Sequence, residues 1–546
     1  MATESSASVK RLTLIACILG SGIVLLDGTV VNVALPRIQV ELGGGLAAQQ
    51  WVVNGYLLTL SSLILIGGSL GDLYGERRIF ALGVSGFGVA SLACALSPSI
   101  EVLVLARALQ GVAGALLVPS SLAVIIRTFP EQERGRAIGS WTAWGAIAGV
   151  LGPLVAGELL AIGSWWWIFL INIPLAAVCV VLILVVVPRS EPREAGSRRV
   201  DIPGALLCSA GLGGSVFALI EQPRLGWGSP AVTVPLTAGI VLLGCFLFYE
   251  ARAEDPMLPL GLFRRRNFSA GNIETFSMYA GLSILFFFLV LFLQQIGGYT
   301  PLQSGLATLP ATLVMFALSR RFGALADRYG PRLFMGAGPL VAAAGLLLFQ
   351  RVTLKVDYVS EVLPALLVFA LGLSMTVAPL TAAVLAGAGQ EQAGIASGVN
   401  NAIARVAGLI GTAALGAIIA ASFGASLESR LSGTPLGAAA REAVRQAKRL
   451  PLGRPDVHGL PLAQGRAVAS AAEQASLHSF HMGMAIAAAL VGVGGAVGAA
   501  GIRNPSRRVR AEGCSGGQLI GASDQVGEQP LSAAPAALAQ PTGSRA

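Results

Sequence analysis

The stretch GSLGDLYGER, Gly68 to Arg77, returns 255 residues later as GALADRYGPR, Gly323 to Arg332, sharing Gly, Leu, Asp, Tyr, Gly and Arg in register. A second pair follows. GRAIGSWTAWGAIAGVLG from Gly135 matches GIASGVNNAIARVAGLIG from Gly394, at an offset only about four residues different. Gly and Ala recur easily in any apolar chain, but the shared Asp, Tyr and Arg make coincidence a poor explanation of the first pair.

The repeat lies in a chain of 546 residues, 54% of them apolar and only 12% charged, with mean hydropathy +0.73. An ordinary soluble protein carries about twice that charged fraction. Runs of about 20 apolar residues, the length that crosses a bilayer, recur along almost the whole sequence. The first run is therefore a span and not a signal peptide. Apolar windows with Gly, Pro and charged breaks predict fourteen helices, centred near Ile23, Leu60, Val89, Ala115, Gly149, Val178, Gly211, Ile240, Leu285, Val314, Ala342, Phe369, Ala407 and Val491. The repeat then pairs span 2 with span 10 and span 5 with span 13. Partners eight spans apart in the same orientation imply two parallel six-helix halves with two extra central spans.

Boundaries follow from that count: 1–13 an N-terminal segment, 14–187 the first half, 188–250 a linker with the two extra spans, 251–502 the second half, and 503–546 a tail read as disordered. Between spans 13 and 14, residues 422–480 read as a polar loop outside, containing a surface helix at AAAREAVRQAKRL. Basic clusters explain the net charge of +9. They fall in short loops on the side of the termini, about 23 Lys and Arg against about four opposite, which predicts that side to be cytoplasmic. They lack the interleaved aromatics of a nucleic-acid surface. Arginine- and alanine-rich usage with little lysine hints at a high-GC bacterium. The cysteines show no disulfide or metal spacing, and His458, His478 and His481 share one polar region without metal-site spacing. No phosphate-binding loop or nucleophile triad stands out, so ATP hydrolysis and membrane enzyme chemistry gain no support.

Asp27 interrupts the apolar run Leu14–Ala34 about halfway through. A carboxylate at that depth costs about 2.5–3.5 kcal/mol on insertion scales and normally faces the bundle interior, as a static partner or as a group that takes up and releases protons. Arg107, in span 4, cannot readily lose its proton; it can bias a neighbouring carboxyl, or snorkel to the surface. Gln110 lies nearly one turn further on. Gly145, Gly149 and Gly152 make a stripe without side chains along span 5, followed by Pro153, suited either to close packing or to a hinge.

LDGTVVNVALPRI, GSLGDLYGERR, LARALQGVAGALLVPSS, GAIAGVLGPLVAGEL and WWWIFLINIPLA, in that order on the expected helices, resemble the motifs of the major facilitator superfamily, in particular its fourteen-span drug:proton antiporters of the EmrB/QacA type. The resemblance covers roughly Leu14 to Ile502. It implies an all-α major facilitator fold that exports amphiphilic small molecules in exchange for protons, without cofactor and driven by the proton motive force. Its partners would be the bilayer, substrate and protons, and the chain would be a monomer in a bacterial cytoplasmic membrane. By that resemblance Asp27, Arg107 and Gln110 couple protons, and Gly145, Gly149, Gly152, Pro153 and Gly157 form the antiporter motif. Gly68, Asp72, Gly75 and Arg77, with Gly323, Asp327, Arg328 and Gly330, form gating loops. Leu73 and Glu76 depart from the basic residues usual in that loop, and Ala156 from a paired glycine.

Glu158, Glu274, Asn400, Asn401 and Arg405 are further polar residues in or near spans, candidates for substrate contact or proton relay. Arg405 cannot lie in lipid unpaired and needs an interior partner such as Glu274. Other readings stay open on the same fold: an exporter of one native metabolite, antibiotic or lipid, or a proton-coupled importer. A non-transporting receptor leaves Asp27 and Arg107 without a purpose.

Overall fold

The computed structural model describes residues 7–188, 200–388, 393–448 and 450–504. These residues contain fourteen helices long and apolar enough to cross a membrane. They are α1 Ala7–Leu42, α2 Leu46–Tyr74, α3 Glu76–Ala95, α4 Ile100–Thr128, α5 Glu131–Ile162, α6 Trp167–Val186 and α7 Ile202–Leu225. The rest are α8 Pro230–Glu250, α9 Arg266–Gln295, α10 Pro301–Tyr329, α11 Pro331–Leu348, α12 Leu363–Ala388, α13 Ala393–Leu431 and α14 Leu462–Gly501. No strand occurs among the described residues. With no water in a bilayer core, helices are the natural way for such a chain to satisfy its backbone groups.

Each predicted centre falls inside one of these helices. The region between α13 and α14 is more helical than its polarity suggests. α13 runs on to Leu431 and α14 begins at Leu462, so the irregular stretch is shorter than 422–480. Within it Ala438–Lys448 forms the expected surface helix, whose Ala440, Ala443 and Ala447 are buried against the ends of α13 and α14 while its charges face out. The expected tail lies outside the described residues from position 505 onward.

Helices α1–α6 pack into one bundle and α9–α14 into another; α7 and α8 pair with each other at the margin, where α7 also touches α2 and α13. Small residues allow the closest approaches. A Cβ on Gly83 would lie 2.8 Å from the Leu117 backbone nitrogen, and one on Gly345 2.3 Å from that of Phe369, so α3–α4 and α11–α12 pack nearly backbone to backbone.

The two halves meet unevenly. Away from the termini they touch: Gln50 Nε2 of α2 donates to Thr412 O of α13 at 2.5 Å, Thr412 Oγ1 donates to Asn54 Oδ1 at 3.1 Å, and Gln294 Nε2 of α9 donates to Val33 O of α1 at 3.0 Å. On the terminus side they part around a cavity of about 810 Å³.

Candidate functional site

Asp27 is 1% exposed and every atom of its carboxylate is engaged. Oδ2 accepts from Arg107 Nη1; Oδ1 accepts from Gln110 Nε2 and from Asn172 Nδ2, each at 3.0 Å. Both amides also donate to Ser91 Oγ, at 2.9 and 3.3 Å. Arg107, likewise 1% exposed, donates to Gln110 Oε1 at 2.6 Å and through Nε to Val52 O at 3.1 Å. Its guanidinium lies 4.3 Å from the ring centre of Tyr56 and 5.7 Å from that of Phe169. Snorkelling is thereby replaced by an interior position, and the three proton-coupling candidates stand in one network.

Sequence reasoning missed Ser91, Asn172 and Tyr56. Asn172 lies in the quoted stretch WWWIFLINIPLA, and an amide opening an otherwise apolar helix is a signal that could have found it. Ser91 and Tyr56 carry no such mark, since isolated polar residues are ordinary in helices.

The glycine stripe packs onto the helix that carries Asp27. A Cβ on Gly145 would come 2.9 Å from Leu25 Cδ1, and one on Gly152 would come 2.0 Å from Thr29 Oγ1 and 3.2 Å from Leu26 O; Gly149 has open space. Further along α5 the motif crosses to the other half. Gly157 admits Leu302 Cα to 2.5 Å of a would-be Cβ, and Gly305 of α10 admits Pro153 O equally closely. One stripe thus serves an internal contact with α1 and an interface between halves.

The loop candidates sit at the terminus-side ends of α2 and α10. Gly75 (φ 92°) and Gly330 (φ 87°) take left-handed conformations that favour glycine. Arg77 donates to Leu184 O at 2.5 Å, and Glu76, where the resembling motif has a basic residue, pairs with Arg127 of α4 at 2.9 Å. Gly68 passes Pro119 and Gly323 passes Ala378 in ordinary contact, while Arg328 leans on Tyr329. Asp327 is half-buried. The side chain of Asp72 lies outside the described residues.

The remaining candidates separate. Asn401 and Arg405 line the cavity. Asn400 is buried beside it, donating to Asn272 Oδ1 at 3.0 Å and Thr275 Oγ1 at 2.7 Å, and so ties α13 to α9. Glu158 is exposed at the end of α5 and does not line the cavity. The expected Arg405–Glu274 pair does not form. Glu274 is fully buried on the opposite face of α9, against Gly494 and Gly498 of α14 and Met335 of α11, with both carboxyl oxygens unpartnered.

The cavity walls are mostly apolar, from Leu25, Leu65 and Val118 to Leu282, with Ser21, Trp141 and Tyr279 among the polar exceptions. Trp141 Nε1 donates to Ser21 Oγ at 2.8 Å, which fixes its indole in the wall. Asp27 is not in the lining; Ser21 and Leu25, six and two residues before it on α1, are the part of that helix that lines the opening.

Two helical halves, closed at one end around a one-sided cavity and carrying a sealed ion pair, define an alternating-access membrane transporter. The family model of the Major Facilitator Superfamily matches residues 17–412, and the chain belongs to that family. It is 36% identical over 423 residues to the multidrug resistance protein Stp of Mycobacterium tuberculosis, covering 77% of this chain and 78% of that one. It is 35% identical over 417 residues to the tetracenomycin C resistance and export protein of Streptomyces glaucescens, covering 76% of each. Among solved structures it resembles a bacterial homologue of the human lysosomal transporter Spinster in its inward-facing, unoccupied conformation, with TM-score 0.59 and 17% identity over 92% of this chain and all of that one. That likeness concerns the fold.

Proposed function

We propose that the protein is a proton-coupled exporter of amphiphilic small molecules, driven by the proton motive force, with both termini in the cytoplasm and the cavity open to it. The observation that carries this reading is the sealed Asp27–Arg107–Gln110–Asn172 network beside a one-sided cavity. Three N–H donors converge on the two carboxyl oxygens of Asp27. Protonation turns one carboxyl oxygen into a donor, leaving a facing N–H without its acceptor. The network then has a reason to rearrange, and α1, held to α5 along the glycine stripe, transmits that change to the α5–α10 contact between halves. Arg107 keeps its charge throughout and acts as the fixed counter-ion.

The resistance and export proteins among the relatives support outward transport of toxic amphiphiles. The positive-inside balance supports the orientation. No enzymatic step is needed: substrate and proton move unchanged.

A drug-susceptibility panel in a pump-deficient bacterial host tests this directly. Expression raises the tolerated concentration of one or more amphiphilic drugs, and Asp27→Asn at equal membrane abundance removes the gain. Full protection by Asp27→Asn refutes the assignment of proton coupling to Asp27. Equal tolerance with and without expression across the panel refutes drug export.

A further inference from the structure

We infer that the cavity is built for an amphiphile bearing a negative charge, a carboxylate or an acidic phenol, and that Arg405 is the residue that recognises it. This rests on the export reading above only in taking the cavity as the substrate site.

Arg405 projects into the cavity from α13, on the same helix face as Gly398, Asn401 and Gly408. Its Nε is buried without a hydrogen-bond partner, and among the described residues no carboxylate pairs with it. The acid expected to do so, Glu274, faces α11 and α14 instead. The other interior cation, Arg107, is neutralised by Asp27. Tyr56 and Tyr279 lie within electrostatic reach of Arg405, but a phenol is not a counter-ion.

The membrane-embedded walls therefore present one net positive charge in apolar surroundings, where a guanidinium fork is best satisfied by a planar anion. The acids in the lining, Asp201, Glu254 and Asp255, all stand at the terminus-side mouth. Asp201 is committed to the backbone of Gly204 and Met257, and Glu254 and Asp255 are exposed, where salt screens them within about 8 Å. They do not reach the depth of Arg405. Trp141 and Tyr279 offer flat faces for the apolar part of such a ligand.

The test is equilibrium dialysis of the full-length protein in lipid nanodiscs, with empty nanodiscs subtracted, against two probes of matched shape: 1-naphthylacetate and 1-naphthylmethylammonium. The wild type binds the anion at least about tenfold more tightly than the cation, the lower end for a charge-assisted hydrogen bond. Arg405→Gln loses that preference, and Arg405→Lys, which keeps the charge, retains most of it. Equal or reversed preference in the wild type, no saturable anion binding, or unchanged anion binding by Arg405→Gln overturns the inference; the first two need no variant to fold. Gradient-driven efflux confined to cations and untouched by Arg405→Gln also overturns it while leaving the exporter reading intact. Anion-selective binding without gradient-driven flux of any substrate sinks the exporter reading and upholds the site.

Discussion

Replacing Arg107 by Met removes the cation paired with Asp27 while keeping a chain of similar length. Asp27 then retains two neutral donors, Gln110 and Asn172, in a site 1% exposed. Removing one member of a buried ion pair costs about 3–5 kcal/mol, because the other charge stays uncompensated. The bond to Val52 O and the contact with the Tyr56 ring vanish too, and they belong to Arg107 alone. Asp27→Asn/Arg107→Met is therefore still less stable than wild type, but the uncompensated charge is gone. The two substitutions should couple by about 2 kcal/mol, within the range measured for groups in one network. Equilibrium unfolding in mixed SDS–detergent micelles reads all four corners of this cycle. Additive single effects, or an Arg107→Met variant within about 1 kcal/mol of wild type, would refute the claim that the pair is sealed from water.

Gly152→Ala places a Cβ 2.0 Å from Thr29 Oγ1, so it destabilises by about 1–3 kcal/mol and lowers efflux, and adding Thr29→Ala recovers much of both; no recovery argues against the α1–α5 contact. Asn172→Leu removes a donor to Asp27 and should cut gradient-driven efflux with normal membrane abundance, measured in everted vesicles; wild-type flux would show that Asn172 is spectator packing. Gln50→Ala deletes the bond to Thr412 O across the closed end, worth about 1 kcal/mol. A cysteine at Val33, buried in α1 where its carbonyl accepts from Gln294 of the other half, should then react with an impermeant thiol reagent roughly fivefold faster, and an unchanged rate would place the seal elsewhere.

The spans and the parallel repeat were legible because a bilayer imposes a length and a composition that a sequence must display. Asp27 was legible for the same reason, as a charge that lipid does not tolerate. What the sequence hid was facing. Arg405 and Glu274 both interrupt apolar helices at similar depth, and opposite charges suggested a pair, yet α9 turns Glu274 toward the small residues of α14 and away from the cavity. Rotation of a helix apolar on nearly every side is set by its neighbours, not by its own pattern. Asn172 reaches Asp27 across 145 positions of chain, a proximity that no local spacing encodes. The helical extension of α13 past residue 422 was hidden differently: its polar residues read as loop, but they form the outer face of a helix packed on α14.

The central claim is that export exchanges substrate for a proton carried at Asp27. It is tested most directly in proteoliposomes holding a pH-sensitive dye, with proton flux followed as a transported drug is added in the absence of any other driving force. The wild type should move protons against the drug, saturably and in the opposite direction, and Asp27→Asn should give no proton movement. Drug flux in the wild type without accompanying protons, or proton flux that survives Asp27→Asn, would contradict the account.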